Sequence, residues 1–358
     1  MKNLRDTNNN LSQGWRKVKL GEWLDLKYGF GLSEKERTKG NVPVYGSSGV
    51  VGYHNKPVVN NQGIIIGRKG NVGAVYFSDK PFYPIDTVYF IDSLKKDGDL
   101  KFFYYLLKTI DFKKVDINVG VPGLNRDTAH SLEVVVPQDL AEQKRIADIL
   151  SAFDDKIEVN NKIIKTLEAM AQEIFKEWFV RNEKLKVKNE KLGTICDIVY
   201  GKDLSTRNLK KKGFPVYGGN GIIGYCDKYL YEEPQIIIGC RGAYSGNIFK
   251  TEPKSFITHN ALVLKLKPEK NISINYLFYA LQKSNVKSSI TGSAQPQITI
   301  AELNKVEIPL ADDKLVEKFE DVVSVLENYK FKIIKENQTL SALRDLLLPK
   351  LMSGEIRV

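Results

Sequence analysis

The chain is poor in the features that mark secreted, membrane-spanning or metal-dependent proteins. It has no long hydrophobic run: stretches such as Ile64–Gly67 and Ile236–Gly239 fall far short of the ~18 apolar residues that span a bilayer. Met1–Asn10 is polar and Asn-rich and offers nothing a signal peptidase could follow, so the cytoplasm is the expected compartment. Cysteine is scarce. Cys196, Cys226 and Cys240 are odd in number and lack C-x₂-C spacing, which excludes a disulfide framework and a Cys₄ zinc site and suits a reducing compartment. The three histidines, His54, His130 and His259, lie far apart and none forms H-E-x-x-H. There is no Walker A motif, and no Pro-Pro dipeptide of the kind that amino-methylating enzymes carry.

Two sets of residues imitate catalytic signatures. Gly219-Asn220-Gly221-Ile222-Ile223-Gly224 fits G-x-G-x-x-G, but nothing helical follows it and a tight aromatic-flanked turn explains it. Asp86, Asp92 and Lys95 could be picked as a nuclease-like trio, but the repeat, with Asn260 opposite Asp86, keeps no such trio, which favours ordinary turn and edge polar residues. No catalytic, cofactor-binding or metal-ligating residue is therefore assigned, and the chain reads as a non-enzyme.

What the chain has is positive charge. Its 54 Lys and Arg against 43 Asp and Glu give a net +11, with 42% hydrophobic and 27% charged residues overall, the balance of a folded protein of two or three domains. The excess is not uniform. Residues 1–138 carry 20 basic and 14 acidic side chains, and residues 182–310 carry 19 and 11. Two helix-like stretches, 139–181 and 311–358, are slightly acidic. Two basic blocks on near-neutral spacers suit a polyanionic partner.

The chain is also written twice. Pro43-Val44-Tyr45-Gly46-Ser47-Ser48-Gly49-Val50-Val51-Gly52-Tyr53 recurs 172 residues later as Pro215-Val216-Tyr217-Gly218-Gly219-Asn220-Gly221-Ile222-Ile223-Gly224-Tyr225, and 13 of the 28 positions from Pro43 to Gly70 are identical at that offset. The same offset joins Leu20 to Leu192, Tyr28 to Tyr200, Gly120 to Gly292 and Pro137 to Pro309. A period this long marks a duplicated domain with its connector. Each copy reads as β-rich, with strands expected at Gly63–Gly67, Val72–Phe77 and Val88–Ile91 and a helix at Asp99–Thr109 packing Phe102, Phe103 and Leu106. Gly46/Gly218, Gly49/Gly221 and Gly52/Gly224 are expected in turns with positive φ.

Both connectors follow a 3.5-residue period. The first places Ile146, Leu150, Phe153, Ile157, Asn160, Ile164, Leu167, Ala171, Ile174 and Trp178 on one seam. The second places Leu315, Phe319, Val322, Leu326, Tyr329, Ile333, Glu336, Leu340, Leu343 and Leu347 on another. Steps of four and three predict helices that pair with each other as a coiled coil, each about 60 Å long and interrupted once by a polar residue, Asn160 or Glu336. The fold class expected is α+β, with two β-rich domains (1–138 and 182–310) and two long helices (139–181, and 311–358 with its tail).

Equivalent loops carry polar and basic residues. Arg68-Lys69-Gly70-Asn71 faces Cys240-Arg241-Gly242-Ala243, and Ser47-Ser48 faces Gly219-Asn220. Asn125-Arg126 lies near the position of Gln295-Pro296-Gln297. Arg, Asn and Gln can bond base edges bidentately, while Lys, Ser and backbone amides hold phosphates. Ser47, Ser48, Arg68, Lys69, Asn71, Asn125, Arg126, Asn220, Arg241, Gln295 and Gln297 are therefore the candidate DNA-binding residues.

Several segments resemble the DNA-specificity subunit of type I restriction–modification systems over nearly the whole chain. They are Trp15-Arg16-Lys17-Val18-Lys19-Leu20-Gly21-Glu22, the twin Pro-Val-Tyr-Gly segments, Glu142-Gln143-Lys144-Arg145-Ile146-Ala147, Gly292-Ser293-Ala294-Gln295-Pro296-Gln297-Ile298 and the ending Leu347-Leu348-Pro349-Lys350-Leu351-Met352-Ser353-Gly354-Glu355-Ile356. The first half ends differently, in Phe175-Lys176-Glu177-Trp178-Phe179-Val180. The resemblance implies two target-recognition domains that each read one half of a bipartite double-stranded DNA target, with two long helices that pair as an antiparallel coiled coil. Because the loops differ between copies (Arg68-Lys69 against Cys240-Arg241), the half-sites are expected to differ and the target to be asymmetric. The resemblance also implies two methyltransferase subunits and, in the full complex, restriction and motor subunits as partners. S-adenosylmethionine, magnesium and ATP are then expected on those partners and not on this chain. Two alternatives stay open on the residues alone: a self-sufficient nuclease, which would cleave DNA unaided, and a coiled-coil scaffold for RNA or acidic proteins, which would ignore duplex sequence.

Overall fold

A computed structural model describes residues 13–115, 123–182 and 188–358. The chain forms two compact units, Met1–Asn160 with Lys335–Val358, and Asn161–Ile334. The units divide within the long helices and not at their ends, so each globular module keeps half of each helix as part of its own body.

In the first unit, Trp15–Lys19 pairs antiparallel with Glu133–Pro137. A four-stranded antiparallel sheet has the order Lys27–Tyr28, Val88–Ile91, Gly63–Gly67, Val75–Ser78. A three-stranded sheet sets Val42–Gly46 between Gly49–His54 and, in parallel, Tyr83–Pro84. The second unit repeats each piece. Lys188–Lys191 pairs with Glu307–Leu310; the four-stranded order is Cys196–Tyr200, Ala261–Leu266, Ile236–Gly239, Ile248–Lys250; and Phe214–Gly218 lies between Gly221–Cys226 and Phe256–Ile257.

The central strand explains the packing. Ile64 and Ile66 face one core with Phe102, Phe103 and Leu106 of the helix Leu100–Lys108, while Ile65 faces a second with Val59, Phe82, Val88 and Phe90. Ile236, Ile238 and Ile237 divide in the same way. A strand covered on both faces needs a continuous apolar run, which is why Ile-Ile-Ile stands in both copies. The expected strand Val72–Phe77 starts later, at Val75, because Gly73 turns the chain with φ +76°. Of the repeated glycines, Gly49 and Gly221 adopt φ of +95° and +86° at the hairpin turn, and Gly52 and Gly224 are also positive. Gly46 and Gly218 are not. A Cβ there would crowd Val51 or Ile223, at 3.2 and 3.0 Å.

The offset between copies drifts. Gly67 matches Gly239, but the helices starting at Leu100 and Ile274 are 174 residues apart. Pro137 lies opposite Trp15 whereas Pro309 lies opposite Asn189, the counterpart of Lys17, so these two prolines are not equivalents. Gly120 lies outside the described residues.

The long helices are Leu140–Phe175, extended by a wider π turn over Lys176–Val180, and Asp313–Met352. Within each unit their segments run antiparallel. On the first helix Ile146, Leu150 and Ala171 are fully buried, Asn160 and Leu167 nearly so, and Phe153, Ile157 and Ile164 half-buried. The second helix differs from the expected seam. Val322, Tyr329 and Leu343 are 41%, 51% and 44% exposed, and the inward face runs Val316, Phe319, Val323, Leu326, Lys330, Ile333, Asn337, Leu340, Arg344, Leu347, Leu351. One half of the heptad stands as read. The other is shifted by one residue, because from Lys330 onward polar side chains (Lys330, Asn337, Arg344) occupy it, and exposed apolar neighbours such as Val322, Tyr329 and Leu343 mimic it.

Partners hold those polar groups inside. In the first unit Asn160 Nδ2 donates to Asn337 Oδ1 at 2.8 Å, and Arg344 pairs with Asp154, which also accepts from the Tyr105 hydroxyl at 2.7 Å. In the second unit Glu327 binds Lys330 at 2.9 Å, Lys250, and the Tyr279 hydroxyl at 2.6 Å. Burial opposes the charge on Glu327, yet Lys250 and Lys330 hold its carboxyl below the usual range. Each helix end then plugs its own unit's core: Leu351 and Met352 in the first, and Phe175 and Phe179 in the second.

The Glu142-Gln143 motif has a structural role. Gln143, fully buried, accepts from Asp99 N at 3.0 Å and donates to Pro137 O at 2.9 Å, tying helix to sheet. Glu142 accepts from Trp15 Nε1 at 3.2 Å, and Arg145 donates to Val358 O at 2.9 Å.

Candidate nucleic-acid interface

In each unit the central strand runs out into a loop that meets the segment before the last short helix. In the first unit Lys69 bridges to Gly123, and Leu124 N donates to Arg68 O at 2.9 Å. In the second Arg241 bridges to Gln297, and Ile298 N donates to Cys240 O at 3.0 Å. The match is one-to-one. Arg68 is equivalent to Cys240 and Lys69 to Arg241, but Gly123 is equivalent to Gln297. Asn125 and Arg126 therefore correspond to Thr299 and Ile300, not to Gln295–Gln297; the two-residue drift accounts for the difference.

The loops of the first unit enclose a cleft of about 270 Å³ lined by Tyr28, Arg68, Lys69, Tyr89, Asn125 and Arg126, among others. Arg68 lies over Tyr28 and Tyr89 with its guanidinium carbon 5.1 and 5.8 Å from the ring centres, and Arg126 lies over Tyr28 at 5.4 Å. Arg68 is held further by donation to Asp86 O at 3.0 Å. Tyr89 is buried, donates to Leu124 O at 2.9 Å, and has its phenol pushed up to about 12 by burial and by Tyr28. It stays neutral and serves as a platform for cations.

The other candidates of this unit are spread around the cleft. Ser47 Oγ accepts from Asn71 N at 3.4 Å beside it, and Ser48 stands exposed in the hairpin turn. The Asn125 side chain caps the helix Arg126–Ser131, accepting from Thr128 N at 3.0 Å, so its carbonyl is engaged. Asp92 pairs with Lys27 at 2.6 Å and Lys95 binds Gly21 O, which disperses the nuclease-like trio.

The second unit's cleft is about 560 Å³ and is lined by Arg241, Gly242, Ala243, Ala294, Gln295, Pro296 and Gln297. Arg241, Gln295 and Gln297 are all exposed. Pro296 O accepts from Gly242 N at 2.8 Å and Ser245 Oγ at 3.1 Å, which presents the two glutamines on either side of a fixed turn. Asn220 lies outside the lining, its Oδ1 accepting from Asn247 at 3.1 Å. Burial raises the Cys240 thiol, so it is neutral packing and not a nucleophile.

Sequence reasoning missed Tyr28 and Tyr89. Tyr28 was visible only as a repeated Tyr-Gly. Its place beside Tyr89 comes from strand pairing, which no local pattern reveals.

Among the described residues no helix is long and apolar enough to cross a membrane. The family model described as the type I restriction modification DNA specificity domain matches the chain twice, over residues 12–169 and 184–341. The MjaIX type I restriction enzyme specificity subunit of Methanocaldococcus jannaschii is 27% identical over 343 residues, covering 82% of this chain and 78% of its own. A putative type I specificity subunit of Mycoplasma genitalium, S.MgeORF438P, is 26% identical over 370 residues, covering 96% and 94%. The crystal structure of a type I restriction–modification S subunit from M. genitalium shares the fold, with a TM-score of 0.63 and 24% identity over 97% of both chains. A duplicated β-rich module on paired helices, two equivalent polar loops and these matches converge: the chain belongs to the type I restriction–modification DNA-specificity family.

Proposed function

We propose that this chain reads a bipartite, asymmetric DNA target and directs partner methyltransferase and restriction subunits to it, performing no chemistry itself. The observation that carries this reading is the pair of equivalent clefts, built on the same strand-and-loop frame but lined by different side chains. One frame used twice suits two half-sites on one duplex. Different linings require the half-sites to differ in sequence. The positive charge of the two β-rich blocks supplies the nonspecific phosphate attraction that such reading needs. Two modification subunits would bind S-adenosylmethionine and flip the adenine to be methylated, and a motor subunit would use magnesium and ATP. The assembly would work in the cytoplasm, where the DNA is.

The test is to map adenine methylation across a genome with and without this chain, in the presence of its methyltransferase partner. The expected target has two short specified parts separated by a fixed unspecified gap, and it vanishes without the chain. A single contiguous or palindromic target, or methylation indifferent to the chain, overturns the reading.

A further inference from the structure

Resting on that reading, we propose that Arg126, held over Tyr28 beside Arg68, reads a guanine in the half-site bound by the first unit. Two guanidinium groups converge on one half-exposed ring, although like charges repel. Arg68 is already committed: it lies over two tyrosines and donates to Asp86 O. Arg126 is not. Among the described residues nothing accepts from its terminal nitrogens, and its buried Nε lies 3.7 Å from the carboxylate of Asp127, which is 87% exposed. Its backbone is fixed in the first turn of a helix capped by Asn125.

A planar cation supported on a ring keeps the in-plane edge of its fork free, and losing little side-chain freedom on binding favours a bidentate contact. Guanine O6 and N7 offer the matching pair of acceptors on the major-groove edge. A phosphate is the competing anion, but the exposed Lys69 at the rim is better placed to meet one as a point charge. In the second unit Ile300 takes the place of Arg126, Cys240 that of Arg68 and Leu262 that of Tyr89. Guanine reading by this device is therefore confined to one half-site.

The experiment uses the full chain with its methyltransferase partner and a panel of duplexes carrying every single-base change in the mapped target. Exchanging residues 182–310 for those of another family member identifies the half-site that belongs to each unit. With Arg126→Gln, affinity for the native target is expected to fall about 5- to 150-fold. Discrimination should disappear at one guanine of the first half-site and nowhere else. Arg126→Lys should behave like Arg126→Gln, since it keeps the charge but loses the fork. Replacing that guanine by 7-deazaguanine, which lacks the N7 acceptor, should weaken the wild type and add little to the variant.

A first half-site without guanine overturns the assignment. So does rescue by Arg126→Lys, or an equal loss on all sequences with a shallower salt dependence, the mark of a phosphate contact. A wild type that binds every duplex alike overturns the functional reading as well. A wild type with a bipartite preference that Arg126→Gln leaves intact overturns this assignment alone.

Discussion

The two recognition modules share a frame and differ in what fills it. At three equivalent positions the first unit has Arg68, Tyr89 and Arg126, and the second has Cys240, Leu262 and Ile300. The first cleft is thus a cationic site on aromatic supports. The second is apolar at those points and carries its polarity on Gln295, Gln297 and Arg241. The contrast extends inward. The carboxylate that a long helix turns toward its own module is Asp154 in one unit, 28% exposed and paired with an arginine, and Glu327 in the other, 8% exposed and paired with two lysines. A duplicated fold keeps its backbone bonds and apolar layers. Its recognition chemistry changes at the ends of the same strands, and where the exchanged residues are buried, as at Tyr89/Leu262 and Cys240, the packing beneath changes with them.

The largest effect is expected where that difference is most deeply buried. Glu327→Ala removes the one carboxylate shared by Lys250 and Lys330, whose side chains are 15% and 14% exposed, and with it the acceptor of the Tyr279 hydroxyl. Among the described residues it leaves Lys250 bonded only to the neutral Asn275 Oδ1 at 2.6 Å and Lys330 only to Glu168 at 3.5 Å. It should destabilise the second unit by about 3–5 kcal/mol. Asp154→Ala should cost the first unit about 1–3 kcal/mol, because Arg344 keeps Asp345 at 2.8 Å. Urea unfolding followed by hydrogen exchange in each unit reads both values, and equal losses would erase the distinction.

Exchanging the loop residues between modules should be asymmetric. Cys240 is 1% exposed, and Cys240→Arg should cost about 1–3 kcal/mol through overpacking. Arg68→Cys, at a part-buried position, gives up its contacts with Tyr28 and Tyr89 and its bond to Asp86 O without creating a clash, and should cost about 0.5–1 kcal/mol while weakening DNA binding. Symmetric costs would show that the second unit has room for the first unit's reader.

The smallest expected effect is a pH dependence confined to one module. His130 Nε2 accepts from Leu26 N at 3.1 Å, and burial together with Lys95 lowers its pKa. The unfolded chain then takes up a proton at the ordinary value near 6.5 while the fold still resists it. Stability of the first unit therefore declines as pH falls through about 6.5 toward the lower folded value. Asn304 stands at the equivalent place, where a Cβ on Gly193 would meet it as one on Gly21 meets His130, so the second unit lacks this step. Denaturant midpoints from pH 8 to 5 should show it, and His130→Asn should remove it.

The Ile-rich central strands and the helix Asp99–Thr109 were legible because their apolar residues recur with the period of the element that buries them. The helices were legible only in part. Leu326, Ile333, Leu340 and Leu347 lie on the inward face, but Lys330, Asn337 and Arg344 do so too, and a rule that places polar residues outside selects Val322, Tyr329 and Leu343 instead. The loops after the central strands were visible through the repeat. The equivalence of Arg126 with Ile300 was not, because a two-residue drift between copies leaves no mark in composition.

By itself the sequence determined that one domain is used twice, that two basic blocks alternate with paired helices, and that the loops after the central strands match. Those features are periodic or additive, and periodicity and charge can be counted along a chain. Tertiary structure alone decided that Tyr28 and Tyr89 support Arg68 and Arg126, and that ion pairs carry lysine and arginine into the helix seam. Each depends on a partner tens to hundreds of residues away, and the free energy of a buried polar group is set by that partner and not by its neighbours in sequence.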